Sequence, residues 1–433
     1  MNTVTRKNWL TLSTIGPGIL VAATGVGAGD LATATLAGGA LGTAVLWAVI
    51  VGAGMKFLLN EGVARWQLAT GTTLLEGCFR HLGAPARWIF MTYMMIWIYL
   101  LGMALMSACG VTMHAMLPIF EDAVVAKIVF GILHSAVAVG LILLGGYPWF
   151  EKVMSACAGV MFGVICATMI VLRPSYPDML AGLFVPTIPK LGEGGLAWTI
   201  AMLGGIGGTV TMLCYGYWIR EEGRTNPEDL PICRFDLAIG YTMTAIFGLG
   251  MVVIGSRIGQ LEGSGATLIV KVAGMLRDEL DSAGPAAQWA FLIGAWGAVF
   301  SSLLGVWQSI PYLFVDCWRM TGAASRAEPR NASPHVRGAD WLHSPAYRYH
   351  LWAIAIIPIS GLFLFNFQFA MKINGIVGAL FIPMLAIALL LLNGNARLIG
   401  QKNRNSMLTT LLLVLTLLLF IVAGGFEIAS NLF

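Results

Sequence analysis

Thr24-Gly25-Val26-Gly27-Ala28-Gly29-Asp30 decides how this chain is read. The run lies in an apolar stretch, Ile15 to Trp47, in which Asp30 is the single charged residue. An acid at mid-membrane depth costs about 2.5–3.5 kcal/mol on insertion scales, so it normally faces a cavity and a partner. Glycines are poor helix formers, and they let the backbone open and present its carbonyls. A broken helix holding a buried carboxylate is the pattern of a cation site in a transporter.

The whole chain agrees with a membrane setting. Of its 433 residues 58% are hydrophobic and 11% charged, with a mean hydropathy of +0.81. That is far more apolar surface than a soluble core needs. The net charge of +4 gives no nucleic-acid footprint, because the basic residues are sorted by link. The seven cysteines have no C-x-x-C spacing and read as small core residues. No G-x-x-x-x-G-K-[ST] occurs, so energy is expected from ion gradients or membrane potential. Paired acids, metal-spaced histidines and a nucleophile elbow are missing, which argues against an enzyme.

Eleven apolar segments are long enough to cross a bilayer, near 14–43, 45–72, 88–117, 124–146, 149–172, 196–219, 234–257, 287–317, 348–366, 371–393 and 406–428. The first reads as a span rather than a cleaved signal peptide, being long and glycine-rich. Lys and Arg concentrate on alternate links, among them Arg6, Lys7, Arg80, Arg87, Arg220, Arg224 and the long link from Arg319 to Tyr347. The positive-inside rule then predicts a multi-pass protein of the plasma (inner) membrane, N-terminus cytoplasmic and C-terminus outside. Span six repeats the device of span one, with Gly204-Gly205-Ile206-Gly207-Gly208-Thr209. Five spans per copy is an odd number, so the second copy is inverted. Glycine-interrupted helices at matching places of inverted halves point to a midplane site. The expected organisation is an all-α membrane protein with a first repeat over 1–173, a second over 174–393, and an eleventh helix in 394–433.

At this point a resemblance enters. Gly16-Pro17-Gly18-Ile19-Leu20-Val21, Gly27-Ala28-Gly29-Asp30-Leu31-Ala32-Thr33 and Ala37-Gly38-Gly39 resemble the opening helix of the NRAMP metal transporters. Leu75-Glu76-Gly77 and Gly305-Val306-Trp307-Gln308 resemble an NRAMP-related branch. The resemblance implies a LeuT-like fold with helices one and six broken, and transport of a divalent metal. The family's Asp-Pro-Gly-Asn aligns here with Gly27-Ala28-Gly29-Asp30, which moves the carboxylate by three residues, almost one helical turn. The family's Met-Pro-His aligns with Thr211-Met212-Leu213. Its proton-linked histidine therefore falls on Leu213, and Trp218 stands at the next one.

The expected metal site is Asp30 and Thr211 with the carbonyls of Gly27 and Gly208, and Thr209 as a further oxygen donor. One carboxylate with hydroxyl and carbonyl oxygens suits a hard ion, Mg2+ first and Mn2+ next. A one-residue slip would bring in Met212 and Cys214 and restore a soft site for Fe2+ or Mn2+. An organic solute coupled to a cation is a further reading in the same fold. Ser301 and Ser302 are candidates for a Na+ coupling site, and His114, His134 and Glu61 for an H+ path. Asn374 is a candidate for an outer vestibule. Lys56, Glu61 and Arg65 share one helix and read as a structural ion-pair group, since Glu61 and Arg65 stand four apart. Arg220-Glu221-Glu222-Gly223-Arg224 reads as a solvated helix end that can gate with Arg234 or Asp236.

Overall fold

The computed structural model describes residues 16–172, 174–259, 265–321 and 344–432. Arg6, Lys7 and most of the long basic link lie outside the described residues. Within them the chain is helical with no strands. Among the described residues, as unbroken runs, eight helices are long and apolar enough to cross a membrane; breaks and bends divide them into ten passes, and the apolar helix near the C-terminus, counted separately over Met407–Val422, is an eleventh.

The first pass is Pro17–Gly25, a break over Val26–Asp30, and Leu31–Leu41. Pro17 takes the first helical turn, where its missing N–H costs nothing. The second pass, Leu46–Thr70, stops at Gly71, which has φ 72° and supplies the left-handed cap. Gly83–Met116 is the third. The fourth and fifth lie within Ala123–Leu172 and are parted at Gly146, whose φ 62° and ψ −169° are not helical, just ahead of Pro148. The sixth is Leu196–Gly205, a break, then Val210–Leu213 and Cys214–Glu221. Leu230–Ile258, Gly284–Thr321, Pro345–Ile356 with Ile359–Leu364, Phe367–Ala379 with Phe381–Leu392, and Met407–Leu432 complete the count.

Three helices occupy stretches that the hydropathy reading leaves as links: Leu74–His81, Tyr176–Phe184 and Gly265–Glu279. They are too short and too polar on one side to span. In Leu74–His81, Leu74, Leu75 and Phe79 are buried while Arg80 is exposed, and Thr73 caps the start by accepting from the Glu76 N–H at 3.2 Å.

The centre holds both halves of the first pass, packed on the seventh and eighth. Apolar residues at the periphery, such as Leu144, Ile170 and Leu408, stand more than half exposed, which is the outer surface lipid would cover. The described cysteines are all free thiols.

Candidate functional site

Both helix breaks follow from local chemistry. Gly27 leaves helical geometry at ψ −133°. Gly207 and Gly208 have φ 80° and 83°, a region that costs an L-residue about 1–2 kcal/mol. The two breaks meet: a Cβ at Gly25 would lie 2.7 Å from the Gly207 carbonyl carbon, and one at Gly27 would run into Ser302.

Asp30 is fully buried where the breaks face each other. Its Oδ2 accepts the Gly207 N–H at 3.0 Å, and its Oδ1 has no hydrogen-bond partner. An unpaired carboxylate oxygen in a buried setting is costly and calls for a partner. A cavity with about 60 Å³ of free space, room for a few water-sized occupants, lies alongside. Thr24, Gly27, Thr33, Gly208, Thr209, Thr211, Ser302 and Asn374 line it, with Trp97 and Leu105 among its apolar walls. Asp30 is not on that wall. The structure thus gathers Gly27, Gly208, Thr209, Thr211 and Asn374 around one space, and sets Asp30 against the sixth-helix break.

Lys56 corrects its assignment to the ion-pair group. It is fully buried and donates to the carbonyls of Gly204 (2.8 Å), Ile206 (2.6 Å) and Gly208. Its charge acts on Asp30 through space. The Gly208 carbonyl expected as a metal ligand is therefore taken by an ammonium. Two residues at the site, Lys56 and Thr24, are not among the expected site residues, and only the first has a signal in the sequence. A lysine inside an apolar helix carries the same insertion cost as Asp30. Its five-residue offset from Glu61 also sets it off the face where Glu61 and Arg65 pair. Thr24, whose hydroxyl has no partner on the cavity wall, had no such signal beyond its place in the glycine run.

Of the remaining candidates, only Ser302 borders the cavity. Met212 and Cys214 are buried off the cavity. Ser301 and Ser302 both donate to the Ala23 carbonyl, at 3.1 and 3.0 Å, which fastens the eighth pass to the first. His134 Nε2 accepts from Trp296 at 2.8 Å, so its Nδ1 carries the proton and donates to the Phe130 carbonyl at 2.6 Å. Its hydrogen bonding is complete. His114 sits in the last turn of the third pass, away from the cavity. Glu61 pairs with Arg65 (3.2 Å) and Arg234 (2.7 Å).

One end of the bundle is tied shut by charge. Asp236 accepts from the Gly18 N–H (2.9 Å), Tyr215 (3.0 Å) and Arg224 (3.1 Å), joining passes one, six and seven. Asp316 accepts from Thr73 at 3.1 Å and from Tyr217, adding the second and eighth. The helix end Arg220 to Arg224 thus reaches Asp236, while Arg234 goes to Glu61.

Two facing breaks, a polar cavity beside them and a charged cluster at one end are the architecture of a LeuT-like fold. The chain belongs to the Nramp family: the model for natural resistance-associated macrophage protein-like chains matches residues 18–429. That is a family of transporters rather than enzymes. The chain is 24% identical over 249 residues to the divalent metal cation transporter MntH of Klebsiella pneumoniae, covering 55% of this chain and 57% of that one. A mutant of the Eremococcus coleocola manganese transporter superposes with a TM-score of 0.74 at 18% identity, covering 98% of this chain and 88% of that one. MhsT in complex with L-phenylalanine does so at 0.63 and 14%, covering 97% and 99%. These last two likenesses establish the fold alone.

Proposed function

We propose that this protein is a secondary transporter of divalent metal cations working by alternating access. Asp30 supplies the negative charge, and Thr211 with the carbonyls of Gly27 and Gly208 supplies neutral oxygens. The observation that carries this reading is the buried, unpartnered Oδ1 of Asp30 at the meeting of two helix breaks. An all-oxygen donor set favours Mg2+ and Mn2+ over softer ions. The names of the relatives, a manganese transporter among them, put Mn2+ ahead of Mg2+. Met212 and Cys214 lie off the cavity, which weighs against the soft-metal variant. In this reading the repeats at 1–173 and 174–393 rock against each other, and the Asp236 cluster is the cytoplasmic gate.

The test is calorimetric titration of purified protein with Mn2+, Mg2+ and Cd2+, beside Asp30→Ala. Mn2+ and Mg2+ binding that vanishes in the variant is expected. Uptake into proteoliposomes under imposed H+ or Na+ gradients then identifies the coupling ion. One observation favours a second reading, a small organic solute: among the described residues no three His, Cys, Asp or Glu side chains gather to hold a metal. Absence of metal binding in both proteins would select it.

A further inference from the structure

Opening the sixth helix strands carbonyls in the middle of a membrane protein, and something has to satisfy them. Here a side chain of the second pass does it. Lys56 reaches the break and spends all three of its N–H donors on the carbonyls of Gly204, Ile206 and Gly208. The ammonium is fully buried, and its bonds to Gly204 and Ile206 are buried with it, while that to Gly208 is part-buried. Gly208 also borders the cavity. The cage and the cavity therefore share a wall, and the carbonyl at that wall is already engaged by a positive charge.

Charge gives the same result. Asp30 and Lys56 act on each other through space and together make the breaks electroneutral. Tyr241 donates no charge and is occupied with Asn60 at 3.1 Å. A divalent ion bound at the Gly208 oxygen would stand against the ammonium that already engages that oxygen, in a poorly screened interior where like charges repel strongly.

We propose that Lys56 is the resident cation of the translocation site and sets its affinity: a cargo cation bound beside Asp30 takes the Gly208 carbonyl only by displacing the Lys56 ammonium. The inference rests on the metal reading above and adds a specificity-determining residue to it. A tethered competitor acts at high effective concentration without any free ion present. It admits cations that outbid an ammonium for oxygen donors and rejects weaker ones. When the cargo leaves, the lysine refills the cage, so the empty carrier never carries bare carbonyls or an uncompensated Asp30.

The experiment compares wild type with Lys56→Gln by calorimetric titration with Mn2+. Removing the competitor is expected to tighten Mn2+ binding about tenfold or more. Unchanged or weaker binding by the folded variant would overturn the proposal, leaving Lys56 as a structural staple and the metal reading intact. No Mn2+ binding by either protein would overturn both. Should Lys56→Gln not fold, wild type decides the matter through amine-directed labelling read by peptide mass spectrometry. Lys56 should be protected without metal and modified at saturating Mn2+. Equal protection in both conditions would overturn displacement.

Discussion

The two helix breaks solve one problem in opposite ways. The sixth exposes carbonyls, and a lysine from another pass fills them completely. The first presents a carboxylate and leaves one of its oxygens unpaired. A backbone opened in the membrane interior must be satisfied from inside the protein. At the sixth break the lysine does that; at the first, the requirement is half met by the Gly207 N–H. The difference separates the part of the site that is held closed by the chain from the part that is left for a ligand.

The strongest way to break this comparison is to remove the charge that the two breaks share. Asp30→Asn leaves Lys56 buried without its counter-charge, and should cost about 3–5 kcal/mol, read as a large drop in thermal melting. Lys56→Met by itself strands the carbonyls of Gly204, Ile206 and Gly208, so the loss in the double variant should fall short of the sum of the two single losses, because neither charge is then stranded. A double-variant loss equal to that sum would mean that the two groups are independent.

Next in size is the closed end. Asp236→Asn removes the carboxylate that holds Arg224, Tyr215 and the Gly18 N–H together. A melting loss of about 2–3 kcal/mol is expected, smaller than at Asp30 because Arg224 stands nearer the surface of the bundle end. Gly208→Ala probes the cage geometry. Its φ of 83° disfavours a side chain, and the new Cβ would lie 2.6 Å from the Thr211 hydroxyl. A cost of about 1–2 kcal/mol should follow, with weaker metal binding in titration.

The smallest effect belongs to Ser302→Ala. The serine hydroxyl is spent on the Ala23 carbonyl, a bond also made by Ser301. Stability should change by about 1 kcal/mol or less, and uptake into proteoliposomes should respond to Na+ as wild type does. A Na+ dependence that disappears with Ser302 would restore the coupling-ion reading of this pair.

Much of this was readable from the chain because the signals are local. A carboxylate in an apolar run and glycines in series mark Asp30 and both breaks from neighbouring residues alone, since insertion cost and helix propensity act over a turn or two. In the structure Thr211 lines the cavity and Met212 does not. The sequence left open whether the helix end Arg220 to Arg224 meets Arg234 or Asp236; Arg224 pairs with Asp236, and Arg234 goes to Glu61.

What the sequence determined by itself is therefore the class of molecule, the places where helices one and six open, and the one acid left between them. Tertiary structure alone decided what fills those openings. Lys56 and its carbonyls stand about 150 residues apart in the chain, and Asp30 is 177 residues from the N–H it accepts. Helical spacing tied Lys56 to its own helix, to Glu61 and Arg65. The choice of partner was made by desolvation. A buried ammonium has to find three acceptors wherever the fold supplies them, and the fold supplies them at the sixth-helix break.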